Sequence, residues 1–340
     1  MDARGLVTAL IANAATLLAS TGASAQTVAD FYRGKTVRIV NWASAGGEYD
    51  IHGRLVSRYI GKHIPGNPAV VHQTMTGGGG IVAANFLYNV APRDGASLGV
   101  MPSSLALFQA LGDKAIKYDA ARFNWIGTIA PTQENLVSWT ASGFTDWRQM
   151  LDREFALGAS GAGSTSVIVP MAMNALLGTK IKLVPGYPGG AEVNLAMERG
   201  ESLGRWNTWS AWKVTKPEWI AEKKITVLVQ SALTKPADLQ APPLLADLAK
   251  TADDRKIFEL LATAAELGRP LVAAPGVPDD RMGALVAAYR ATLADPEFVA
   301  EAAQLKIEIA PLVAGELQSL VMRALSTPKP LTERLAKIVE

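Results

Sequence analysis

Three short loops carry the residues whose types and spacing could do chemistry. In TVRIVNWASAGGEYDIHGRLVS (36–57), a β-branched run ends in small residues and the pair Gly46-Gly47. Asp50 then stands where a helix begins, with Ile51, Leu55, Tyr59 and Ile60 on one face. A strand, a glycine turn and a helix start leave backbone N–H groups free and add the positive end of the helix dipole. That combination holds an anion without needing Arg or Lys. It recurs at VVHQTMTGGGGIVAANF (70–86) and at FALGASGAGSTSVIVPMAMNAL (155–176). Any one such turn has a purely steric explanation; three in one chain point to a small-anion site.

Enzyme chemistry meets specific obstacles. Gly158-Ala159-Ser160-Gly161-Ala162 nearly spells a nucleophile elbow, but Ala162 stands where the last glycine belongs. All three histidines, His52, His63 and His72, lie upstream of it, so the order Ser, acid, His fails. Gly78-Gly79-Gly80-Ile81-Val82-Ala83 fits a loose dinucleotide pattern, yet the next strand ends at Met101-Pro102-Ser103 without an acid for a ribose hydroxyl. The histidines lack metal-ligand spacing, and there is no Cys. No catalytic residue, metal or cofactor is therefore expected.

The chain start points to export. Arg4 precedes an apolar stretch from Leu6 to Leu18, and Ala23-Ser24-Ala25 offers an A-x-A cleavage site. The stretch is shorter than the roughly 20 residues a spanning helix needs. The expectation is a signal peptide, residues 1–25, cleaved after Ala25 to give a soluble periplasmic product beginning at Gln26. Without Cys there is no disulfide and no lipid-bearing N-terminal thiol, so the core must be large enough to stand alone. A net charge of +2 with no basic run argues against nucleic acid.

Strands and helices should alternate through Arg199, implying parallel sheets covered by helices and ligands at the strands' carboxyl ends. Strands are expected at 69–72, 97–101, 124–129, 136–139, 155–157, 180–184 and 225–230. Helices are expected at 82–88, 144–151, 164–177 and 189–199, and then through the tail at 278–293, 296–305, 315–324 and 330–338. About 315 residues after cleavage suggest two domains.

In sequence, the chain resembles the solute receptors of tripartite tricarboxylate transporters, the Bug-type periplasmic binding proteins. The likeness rests on FYRGKTVRIV leading into SAGGEYD, on IPGNPAVV and AANFLYNVAPRDG around the glycine loop, and on FNWIG and GASGAGSTS. It continues through GYPGGAEVNLAMERGE, PPLLADLAK and GRPLVAAPGVP. The order and spacing of these segments carry more than any one of them. The resemblance implies an α/β fold of the Venus flytrap kind (type II-like, parallel or mixed sheets covered by helices), two domains closing on one small carboxylate. It implies that residues 26–129 plus 235–340 form domain one and 130–234 domain two. It also implies a monomeric receptor that hands a di- or tricarboxylate or aromatic acid to membrane transporter subunits. An exported sensor for a membrane signalling protein and an exported enzyme remain alternatives.

The loops indicate how capture would work. A carboxylate entering a cleft needs several donors to replace its water, each charged hydrogen bond contributing about 1.5–3 kcal/mol. Ala45, Gly46, Gly47 and Glu48 offer amides from one side, with Gly78, Gly79, Ser103 and Ser104 beside them. Ser160, Gly163, Ser164 and Thr165 offer them from the other. The resemblance adds Asp50, as a reader of the ligand or a plain helix cap, and Tyr187 and Gly189 in the second-domain loop. That loop reads Gly-Tyr-Pro-Gly-Gly where many relatives have Tyr-Lys-Gly, so a ligand-facing Lys is missing. In GRWNTWSAWK (204–213), Trp206, Trp209 and Trp212 recur every three residues, a stripe if the segment is helical. The stripe either packs in the core or forms an aromatic wall, with Arg205 or Asn207 meeting a polar ligand group.

Overall fold

The computed structural model describes residues 27–161 and 164–340, so the expected signal segment and Gly163 lie outside the described residues. Along the chain come α1 (Val28–Tyr32), β1 (Thr36–Asn41), α2 (Glu48–Tyr59), β2 (Ala69–Thr74), α3 (Ile81–Asn89), β3 (Ser97–Val100), α4 (Leu105–Ala110) and β4 (Asn124–Thr128). Then follow β5 (Glu134–Trp139), α5 (Gln149–Asp152), β6 (Phe155–Gly158), α6 (Thr165–Leu177), β7 (Ile181–Val184), α7 (Gly190–Glu198) and β8 (Gly204–Thr208). The remainder is α8 (Trp209–Thr215), α9 (Pro217–Ala221), β9 (Ile225–Ser231), α10 (Ala252–Ala265), β10 (Leu271–Ala273), α11 (Asp279–Ala294), α12 (Pro296–Gln304), β11 (Leu312–Val313), α13 (Ala314–Leu325) and α14 (Lys329–Val339).

These strands form two sheets, one in the order β11-β4-β10-β3-β1-β2 and one in the order β7-β6-β8-β5-β9. The chain leaves the first sheet after Thr128, enters the second at Glu134, and rejoins the first at Leu271. Both sheets are mixed rather than purely parallel. The βα units give the parallel pairs β1–β2, β1–β3, β6–β7 and β6–β8. β5 and β10, the strands that follow a passage from one sheet to the other, run against their neighbours. The fold is thus α/β, with two mixed sheets and helices packed on them.

The β-branched run of β1 suits an inner strand, between β3 and β2. Val37, Ile39 and Val40 are fully buried, and Ile39 joins Tyr32, Leu55, Ile60, Tyr289 and Phe298 in one core. A second core runs from Trp42, Leu107 and Trp125 to Phe144, Phe155 and Leu261. The last helix, α14, rests on α6, so the tail reaches the second sheet's helical layer.

Two expectations about elements are corrected. The helix expected over 144–151 is reduced to Gln149–Asp152, because the Gln149 side chain accepts from the N–H groups of Thr145 (2.8 Å) and Asp146 (3.0 Å) and holds them in a turn. The Trp stripe does not exist: Trp206 lies within β8, and the helix starts only at Trp209. Thr208 caps it, its Oγ1 accepting from the Ala211 N–H at 3.0 Å.

Candidate functional site

A cavity of about 80 Å³ lies between the two sheets, at the carboxyl ends of β6 and β8 and the start of β5. At about 10–15 Å³ per water-sized group it admits roughly 5–8 such groups, the size of a small organic acid. Of the residues expected from sequence, Gly47, Glu48, Ser103, Ser104, Ser160, Ser164, Thr165, Gly189 and Asn207 line it. Ala45, Gly46, Asp50, Gly78, Gly79, Tyr187 and Trp209 do not.

The residues outside the lining have other work. The Asp50 carboxylate is buried and accepts from the Gly46 N–H (3.0 Å), from Arg54 Nε (2.9 Å) and from His72 Nε2 (2.9 Å). Burial opposes its ionisation, but these bonds hold its pKa below the usual carboxylate range. Asp50 therefore braces the turn and β2 rather than facing the cavity. Gly77 to Gly80 all adopt positive φ (132°, 57°, 65° and 104°), which side-chain-bearing residues rarely adopt. That turn lies against the opposite lobe, where a Cβ on Gly161 would collide with the Gly79 amide. Trp209 packs with Trp212 and Trp219 and borders a separate cavity of about 70 Å³ behind Glu48.

The serine-rich start of α6 turns inward on itself. Ser164 Oγ caps the Ser166 N–H (3.1 Å) and shares a 2.7 Å bond with Ser166 Oγ, which also accepts from the Ser160 N–H (3.1 Å). Thr165 donates to Glu134 Oε1 at 2.6 Å. These hydroxyls are already engaged with each other or with Glu134.

Four charged residues line the cavity: Glu48, expected to offer its amide, Arg205, expected as a partner for a polar ligand group beside an aromatic wall, and Glu134 and Arg269, which were not expected. Glu48 and Arg269 form a buried ion pair, which Thr208 joins by donating to Glu48 Oε2 (2.7 Å) and accepting from Arg269 Nη2 (2.7 Å). Burial raises the Glu48 pKa, but Arg269, His52 and Thr208 outweigh it and bring it to about 2. The other two charges have only neutral hydrogen-bond partners among the described residues. Glu134 is buried and accepts from Thr165 and from the Trp206 indole (2.7 Å). Desolvation pushes its carboxyl up, against these two bonds and the more distant Arg269.

Arg205 is half-buried, and desolvation lowers its pKa to about 10 despite the pull of Glu48 and Glu192. Its Nη1 donates to Gly190 O (3.0 Å) and Asn194 Oδ1 (2.7 Å), and its Nη2 to Asn207 Oδ1 (3.2 Å). Of five guanidinium N–H donors these take three, leaving one on Nε and one on Nη2, a fork shaped for a carboxylate. Beside it the buried Asn207 Nδ2 has no partner among the described residues. A Cβ on Gly190 would collide with the guanidinium, so the glycine at the start of α7 gives Arg205 its place.

The lips of the cleft touch. Ser44 Oγ donates across it to Glu192 Oε2 (2.8 Å), and a Cβ on Gly189 would collide with Ser44. Together with the Thr208–Glu48 bond, these contacts bridge the two lobes across the cavity.

No protein-family model and no curated protein sequence matches the chain. Solved structures do. The periplasmic binding protein BugD superposes with a TM-score of 0.71 at 18% identity, covering 90% of this chain and 98% of BugD. An R. palustris protein solved with adipate gives 0.68 at 20% identity, covering 90% and 97%. MatC from Rhodopseudomonas palustris, solved with malate, gives 0.66 at 21% identity, covering 90% and 99%. The fold of the chain is thus similar to those of BugD, MatC and a TctC solute binding protein from Polaromonas.

Proposed function

We propose that the protein is an exported solute receptor that captures one small carboxylate between its lobes and delivers it to membrane transporter subunits. The observation that carries this reading is the open donor set on Arg205 and Asn207, in a cavity of small-acid size between the two sheets. A guanidinium with two free N–H groups and no carboxylate hydrogen-bonded to it among the described residues is a site suited to an anion. The adipate and malate held by two structural neighbours fit the same ligand class. On this reading residues 26–129 and 235–340 move as one domain and 130–234 as the other. Breaking the Ser44–Glu192 and Thr208–Glu48 contacts admits the ligand. The protein returns its ligand unchanged, leaves the cell interior through the signal segment ending at Ala25, and acts as a monomer.

A thermal-shift screen with di- and tricarboxylates, aromatic acids and amino acids tests this. A true ligand at 100 times its dissociation constant should add about 2.7 kcal/mol of stability. Arg205→Met should abolish that shift while leaving the protein folded. A ligand shift that survives Arg205→Met unchanged places the anion elsewhere.

A further inference from the structure

The cavity holds two charges of opposite sign that do not neutralise each other. In the β5–β8 pairing Glu134 stands opposite Thr208 and Val137 opposite Arg205, so the acid and the guanidinium leave opposite faces of the second sheet. Yet both line the same cavity. Glu134 is contacted by the neutral donors of Thr165 and Trp206; Tyr49 and Arg269 are the titratable groups near it, and Arg269 is engaged by Glu48. Two hydrogen bonds leave about two of the four acceptor sites on its oxygens open. A carboxylate in this setting, without a counter-ion, is expensive unless a donor or cation from a ligand completes it.

We propose that the cavity selects a zwitterion, a small amino acid whose carboxylate meets Arg205 and Asn207 and whose ammonium meets Glu134. The proposal rests on the carboxylate reading of the same site and names its ligand class. Charge balance separates it from a plain dicarboxylate. A zwitterion completes both lone charges and adds no net charge to the cavity. A dicarboxylate would place a second negative charge beside Glu134 and could enter only if Glu134 took up a proton.

Calorimetry on matched pairs tests this: L-aspartate against succinate, L-glutamate against glutarate, L-alanine against propionate, and the other amino acids against their deaminated acids. At pH 8 the aminated member of at least one pair should bind tenfold or more tighter. In Glu134→Gln that preference should fall below twofold, with melting curves confirming the fold. Any non-aminated diacid that binds the wild type should take up a proton, seen as a heat that changes between buffers of different ionisation enthalpy. If the deaminated acids bind as tightly as the amino acids, or the preference survives Glu134→Gln, the zwitterion proposal fails and the carboxylate reading stands. If no member of any pair binds, the zwitterion proposal fails, and the carboxylate reading is decided separately by the thermal-shift screen with tricarboxylates, aromatic acids and other diacids.

Discussion

The two walls of the cavity treat charge in opposite ways. On the wall from the first sheet, Glu48 and Arg269 pair with each other and hold Thr208 of the opposite lobe between them. On the wall from the second sheet, Arg205 and Glu134 each lean on neutral groups only. A buried pair satisfied by its own protein is a fastening, and removing one member leaves the other stranded. A charge supported only by neutral partners keeps its strongest interaction for something that arrives. The contrast assigns stability to one wall and recognition to the other.

The sharpest way to break that assignment is to remove one arginine from each wall. Arg269→Met leaves Glu48 buried and unpaired, and should cost about 3–5 kcal/mol of folding stability. Denaturant unfolding measures it, and adding Glu48→Gln to the same chain should recover much of the loss. Arg205→Met should do the reverse, with a modest stability change but a ligand affinity lower by about 2–5 kcal/mol, 30-fold or more. Equal stability losses in the two variants would erase the distinction.

Sequence patterns brought out the scaffold of the site better than its charges. SAGGEYD and GASGAGSTS announce strand, turn and helix start locally, so Gly47, Glu48, Ser160, Ser164 and Thr165 were legible. Arg205 was named as a possible ligand contact but on the wrong element, because a tryptophan every third residue imitates a helix, whereas pairing with β5 keeps 204–208 extended. Glu134 is one acid at the start of a strand, which by itself looks like a solvated face. Arg269 joins the site because the chain returns from α10 to enter β10 as an inner strand, and α10 and β10 were not expected from sequence. The Lys missing from the Gly-Tyr-Pro-Gly-Gly loop has a counterpart in space: Gly190 in that loop makes room for Arg205 from another strand. Local signals mark backbone turns; long-range pairing decides which cations reach them.

The two glutamates sharpen the comparison through pH. The Glu48 pKa is lowered in the fold, to about 2 from 4.5. Its contribution to stability is therefore complete above pH 4.5 and is lost as pH falls toward 2. Glu48→Gln should destabilise the protein at pH 7, and the difference should shrink on acidification through that window. The Glu134 pKa is raised, so its ionisation opposes folding, with the penalty growing as pH rises above the ordinary carboxylate range. Glu134→Gln should raise the melting temperature of the ligand-free protein at pH 8 and change little at pH 4. Two acids of one cavity should thus respond with opposite sign, and the same sign in both would refute the contrast between the walls.

The smallest effect concerns the neutral support of Glu134. Trp206→Phe keeps the ring in the core but deletes the indole donor to Oε2, leaving Thr165 as the sole hydrogen bond to that carboxylate. The loss should be about 0.5–1.5 kcal/mol of stability at pH 8. Because the deleted bond favours the ionised form, the pKa of Glu134 should rise further and the loss should diminish on acidification. In Glu134→Gln the amide oxygen can still accept from the indole while its NH₂ donates to the Thr165 hydroxyl, but the charge is gone. Trp206→Phe should then cost less in the Gln background than in the wild type, and a double-mutant cycle at pH 8 reads the difference directly. A coupling near zero would mean that Trp206 serves packing alone and that Glu134 depends on it for nothing.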